Sequence, residues 1–195
     1  MKKFILFIIF TILPLLAFAA PFGLKMGMTI EEIAAQCEEN PYLYKDDCYV
    51  IKPVKKHPLF DWYAAYVDEK SGLYKIEAHS SSIETSKYGT ELQAAFTNVK
   101  DRIAKTYGNP KVKNWLDSSI SSYQKGDDYW YYTLQEGSRE LSAVWGANAS
   151  LADNLETVEL KCKATSGYLH GDGQLILSYY FANNRAVEDS QDDVF

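Results

Sequence analysis

The chain has 195 residues, 47% of them hydrophobic and 24% charged, which suits one domain of ordinary size with its own core. Twenty Lys and Arg stand against twenty-six Asp and Glu, a formal charge of -6. That sign repels phosphate backbones and anionic lipid surfaces, so it argues against nucleic acid or a membrane surface as partner.

The first element is an address. Lys2 and Lys3 precede an uncharged apolar run over residues 4–18, and Ala17-Phe18-Ala19 supplies the small-x-small pattern of a signal peptidase site. The run is shorter than the roughly 20 residues of a membrane span. Residues 1–19 therefore read as a secretory signal peptide cleaved after Ala19. Loss of Lys2 and Lys3 brings the charge from -6 to -8. No cysteine lies near the cleavage point to carry a lipid, and no later apolar stretch is long enough to span a bilayer. The expectation is a soluble protein without a stable membrane anchor, in the periplasm or, alternatively, fully secreted.

Residues 20–187 read as one globular domain. Thr29-Ile30-Glu31-Glu32 is a capping box, with Met28 and Ile33 placed as a hydrophobic staple. Ile30, Ile33, Ala34 and Cys37 share the following helical face, and Pro41 bounds the helix. Residues 48–54 are rich in β-branched and aromatic side chains, with Pro53 at an edge or strand end. Residues 60–67 and 73–79 flank the turn Asp68-Glu69-Lys70-Ser71-Gly72, which makes a β-hairpin. Residues 80–89 read as a polar loop. A second capping box, Thr90-Glu91-Leu92-Gln93, opens a helix whose apolar face is Leu92, Phe96, Val99, Ile103 and Tyr107. Gly108 and Pro110 end it.

Residues 111–137 are less regular. Asp127 or Asp128 can cap a short helix through Tyr129-Trp130-Tyr131-Tyr132, and a strand competes with that reading. Alternation then returns in three stretches, through Leu141, Ala143 and Trp145, through Val158, Leu160, Cys162 and Ala164, and through Leu175, Leu177, Tyr179 and Phe181. Asp172-Gly173 reads as the turn between the last two. Residues 188–195 read as an acidic frayed tail. The sum is an α+β fold, with antiparallel sheet packed by two main helices. A tandem of two helix-plus-sheet units is the variant, since each half opens with a Thr-capped helix.

Export permits disulfides. Cys37 and Cys48 are close enough in sequence to close a short loop worth about 2–3 kcal/mol, and their pairing is the expected bridge. Cys162 falls on the apolar face of its strand and reads as a buried thiol.

The run Phe22-Gly23-Leu24-Lys25-Met26-Gly27-Met28-Thr29-Ile30-Glu31-Glu32-Ile33 resembles the opening of small bacterial envelope proteins. Its Gly-Met-Thr-x-x-Glu-Ile core is similar to the start of outer-membrane assembly lipoproteins of the SmpA/OmlA type. Tyr107-Gly108-Asn109-Pro110 resembles a phrase of other periplasmic proteins. The resemblance implies helices packed on an antiparallel sheet, as also in secreted β-lactamase-inhibitor proteins, and a protein-binding role in the envelope. The chain lacks the lipid-bearing cysteine of those lipoproteins, so their membrane role does not carry over.

Motifs of catalysis are missing. There is no Gly-x-Ser-x-Gly elbow and no His-Glu-x-x-His helix. His57, His79 and His170 are scattered, and His170 with Asp172 offers too few ligands for a closed metal site. No cofactor or metal is expected, and no enzyme activity is assigned. The positive signal is aromatic, with fifteen Tyr and four Trp. Four consecutive aromatics cannot all face inward, so Tyr129, Trp130, Tyr131 and Tyr132, with Trp115 before them, form the candidate binding surface. The leading expectation is an exported protein that recognises another envelope protein, as an inhibitor or immunity protein would. A small-ligand or lipid carrier with an apolar pocket is the alternative. A hydrolase with a dispersed site comes third.

Overall fold

The computed structural model describes residues 20–146, 151–167, 171–184 and 186–187. The expected signal peptide, His170 and the acidic tail lie outside these residues. The alternating stretches become strands of one antiparallel sheet, so the α+β expectation holds. In chain order the strands are β1 (Tyr42–Lys45), β2 (Cys48–Ile51), β3 (Phe60–Asp68), β4 (Gly72–Ser80), β5 (Ile83–Thr85), β6 (Lys111–Leu116), β7 (Arg139–Trp145), β8 (Leu155–Gly167) and β9 (Gly171–Phe181). The helices are α1 (Ile30–Ala34), α2 (Thr90–Tyr107) and α3 (Trp130–Gln135). Spatial order is β1-β2-β3-β4-β9-β8-β7-β6, with the short β5 also pairing β9. Each half is thus a four-stranded meander, and the last strand of each lies at the centre.

The core follows from the period of two. Ile76 and Ala78 on β4 pair with Tyr179 and Leu177 on β9, which pair with Val158 and Leu160 on β8. All six are buried, and all point to the face that carries α2 and α3. Leu92, Phe96, Val99 and Ile103 are the buried residues of α2, as their spacing predicts. The indole of Trp145 donates to the Gly108 carbonyl at 2.7 Å and ties the end of α2 to β7.

Local signals succeed where a side chain has one partner available. The Thr29 box forms, with the Thr29 amide donating to Glu32 Oε2 at 2.9 Å and the Glu32 amide to Thr29 Oγ1 at 3.3 Å. Met28 and Ile33 both pack into the core. The second box does not form. Gly89, at φ 65°, is the N-cap of α2, and Glu91 instead accepts from the Thr85 hydroxyl and the Ser86 amide. That bond fastens β5, which interrupts the stretch expected to be loop. Asp172 and Gly173 are strand residues paired with β5 and β8, not the turn, because β9 begins at Gly171.

The expected Cys37–Cys48 disulfide is absent, and all three cysteines are free. The helix ends at Ala34, so Cys37 leaves it and forms an isolated bridge with Pro53. Cys48 lies at the other end of this extended stretch, five residues from Pro53, which is about 16 Å of strand. A disulfide tolerates no more than about 7 Å between α-carbons. Cys48 packs beside Tyr66, its partner on β3, and burial pushes its thiol up. Cys162 is buried on the core face as expected.

Candidate functional site

The sheet has two faces, and α2 and α3 cover one. On the other face three rows of side chains cross the strands in register. One row runs Trp62, His79, Ile176, Lys161, Ser142, Lys113 from β3 to β6. The next runs Ala64, Glu77, Ser178, Glu159, Val144, Lys111. The third holds Tyr66, Lys75 and Tyr180. Six strands at their usual spacing make this face about 24 Å wide.

Size alternation shapes it. Ala64 and Ser178 in the middle row are small and buried, while Trp62, Tyr66 and Tyr180 on either side are half-exposed. The aromatic side chains therefore stand as walls above a shallow trough. Glu77 lies in the trough with Oε1 2.6 Å from His79 Nε2 and Oε2 2.8 Å from Lys75 Nζ. The His79 hydrogen bond, and after it Lys75, outweigh the burial that would raise the Glu77 carboxyl, and they push it down to about 2. The Lys75 ammonium also sits over the Tyr66 ring at 4.4 Å and the Tyr180 ring at 5.3 Å. His79 meets Trp62 edge-on at 4.6 Å between ring centres. Each aromatic of the centre is thus pinned by a charged or polar neighbour. Such pinning leaves little side-chain entropy to lose on contact with a partner.

Charge on this face departs from the chain's own. Lys75, Lys111, Lys113, Lys161 and Lys163 are interspersed with Glu77, Glu140, Glu159 and Asp172 across β4 to β6, and Glu84 on β5 stands opposite Asp172. Ion pairs Lys113–Glu140 and Lys161–Glu159 fix part of the pattern at 2.5 and 2.9 Å. An acidic protein here presents a face on which cations and anions are balanced in number, so a partner with a complementary mixed pattern is the one it favours.

The aromatic residues singled out in the sequence divide between the two sides. Trp115 is 43% exposed on the open face, with Lys113 Nζ 5.6 Å from its ring centre. Trp130 and Tyr131, at 4% and 0% exposure, are not surface residues. They are the apolar side of α3, which packs on β7 and β8, and the Tyr131 hydroxyl donates to the Asp172 carbonyl at 2.8 Å. Four consecutive aromatics indeed do not all face inward, and Tyr129 and Tyr132 stay half-exposed. Tyr129 stacks edge-on with Tyr123 and Tyr132 at 5.6 and 6.4 Å. This small patch lies on α3 and the turn before it, whereas Trp115 lies on the open face of β6.

Trp62, Tyr66, Lys75, Glu77, His79 and Tyr180 were not assembled from sequence. Their signal was present as two period-two triplets, Trp62-x-Ala64-x-Tyr66 and Lys75-x-Glu77-x-His79, on the two strands of the expected hairpin. No group of three or more potential metal ligands occurs among the described residues. No helix among the described residues is long and apolar enough to cross a membrane. Comparison of the chain with family models, with curated proteins and with solved structures returns no match.

Proposed function

We propose that the chain is an exported protein that binds another protein of the cell envelope through the open face of its sheet, in the manner of an inhibitor or immunity protein. The observation that carries this reading is the face that no described helix covers, on which Trp62, Tyr66 and Tyr180 are held as rigid walls around an ionic trough. Rigid amphipathic aromatics give contact area at low entropic cost. The interspersed lysines and carboxylates of the face favour a partner with a complementary charge pattern. The signal-like pattern of residues 1–19 and the envelope-type opening at 22–33 support the location.

Site-directed photo-crosslinking tests it. A photoreactive residue at Lys161 on the open face is expected to give a discrete protein adduct in cells. The same residue at Asp101, exposed on α2, is expected to give none. Adducts from Asp101 with none from Lys161 would place the interface on the helical side and overturn the reading.

A further inference from the structure

On the side opposite the open face, a cleft of about 570 Å3 lies between α2, β9 and the segment Pro21–Gly23. Its volume falls in the range of small-molecule sites. The floor is apolar, made by Phe60, Val99, Ile103, Leu177 and Tyr179, with Phe22 as a side wall. The Phe22 ring stacks edge-on against Tyr63 at 4.9 Å and Tyr179 at 5.8 Å. It does so from a left-handed backbone, φ 55°, which a bulky residue adopts only when its surroundings hold it there.

The mouth is cationic. Lys55, Lys56 and Arg102 line it together with His57, and no Asp or Glu among the described residues lines the cleft. That is unexpected in a chain with more acids than bases. Lys56 is held by Glu38 at 2.9 Å. Neither Lys55 nor Arg102 forms an ion pair among the described residues, and Arg102 is braced by Asn98 at 2.9 Å. His57 is fixed as well. Its Nδ1 accepts from the Leu59 amide at 3.2 Å, which leaves the proton of a neutral ring on Nε2. Burial and the nearby Arg102 both push its pKa down, in keeping with a positive field at the mouth. The Tyr63 hydroxyl holds the loop, accepting from the His57 amide at 3.1 Å and donating to the carbonyls of His57 and Phe60.

We infer that this cleft binds a single-chain amphiphile with a carboxylate head, its hydrocarbon tail on the floor and its head between Lys55, Arg102 and His57. Two cations without carboxylate partners among the described residues and one imidazole N–H match a carboxylate, and the floor offers no charged group to a second head. The site shares no residue with the open face, so either proposal can fail alone.

The test is calorimetry on the purified full chain with three C12 probes, dodecanoate, dodecanol and dodecyltrimethylammonium, each below micelle formation. Dodecanoate is expected to bind with 1:1 stoichiometry and the cationic probe not at all. The double variant Lys55→Gln, Arg102→Gln is expected to weaken dodecanoate about tenfold or more while leaving dodecanol unchanged, since hydrogen bonds to charged groups are worth that much. Thr106→Trp, at the exposed rim, is expected to block both. Equal binding of the cationic probe, an unchanged double variant, or no dodecanoate binding by about 1 mM would overturn the inference. NMR on the unaltered chain gives a check that no variant can confound. Dodecanoate is expected to shift the amides of Val99, Ile103 and Leu177, and shifts confined to Trp62 and Tyr180 would refute it.

Discussion

Gly89→Ala is expected to be among the most damaging single-methyl additions in the protein. Gly89 caps α2 at φ 65°, where an L side chain adds about 1–2 kcal/mol of strain. A Cβ built there stands 1.9 Å from Trp130 Cε3 and 2.3 Å from Cζ3. The ring is buried and has the Arg139 guanidinium 5.6 Å from its centre, so it has little room to retreat. Forced repacking of such a core contact adds about 1–3 kcal/mol, for a total of about 2–5 kcal/mol. Gly137 supplies the control. Its φ is 74°, and a Cβ there meets nothing within 4 Å, so Gly137→Ala carries the backbone strain alone. Urea unfolding followed by tryptophan fluorescence and by far-UV circular dichroism gives both values. If Gly89→Ala falls within about 0.5 kcal/mol of Gly137→Ala, the ring is not where we place it, and Trp130 returns as a surface residue.

Two further outcomes are expected. The folded-state pKa of Glu77 lies near 2, below its ordinary 4.5, so its stabilising contribution is complete above about pH 4.5 and is lost as pH falls toward 2. Glu77→Gln is expected to flatten the decline of the urea midpoint across that window, and an unchanged slope would dissociate the His79–Glu77–Lys75 cluster from acid sensitivity. Mass spectrometry of unreduced protein after thiol labelling is expected to find three free cysteines, with half-buried Cys37 labelled first and buried Cys162 last. A Cys37–Cys48 linked peptide would show that α1 and β2 are arranged differently.

Much of the fold was legible because its signals are local and repeated. The hairpin of β3 and β4, the α2 face and the alternation of β7, β8 and β9 each recur over several residues, so no single competing contact can override them. Single-residue signals fared less well. Thr90 looked like a cap, but Gly89 can turn into the left-handed region and Glu91 is drawn to Thr85. Asp172-Gly173 looked like a turn, but β5 supplies a pairing partner that lies some ninety residues earlier. The candidate site was half legible. Aromatic density pointed to binding, yet density does not say which side of a sheet a residue takes. Trp130 and Tyr131 went to the core because α3 needed an apolar side, and Trp62 and Tyr66 stayed outside because their register with Lys75 and His79 put them there. The cationic mouth of the cleft has no sequence signature because Lys55, His57 and Arg102 come from segments that only the packing of α2 on the sheet unites.

The central position of β4 and β9 also bears on when this protein can become a protein. Ile76 waits for Tyr179, about a hundred residues later, and until then the first meander has an unsatisfied inner edge. The sheet cannot be complete before its last strand, β9, has been made. Completion of the fold is thereby deferred, and the two meanders close on each other only when nearly the whole chain is present. A truncation that removes β9 would leave two exposed edges and not one smaller domain, so the loss of that strand is expected to abolish the whole fold at once.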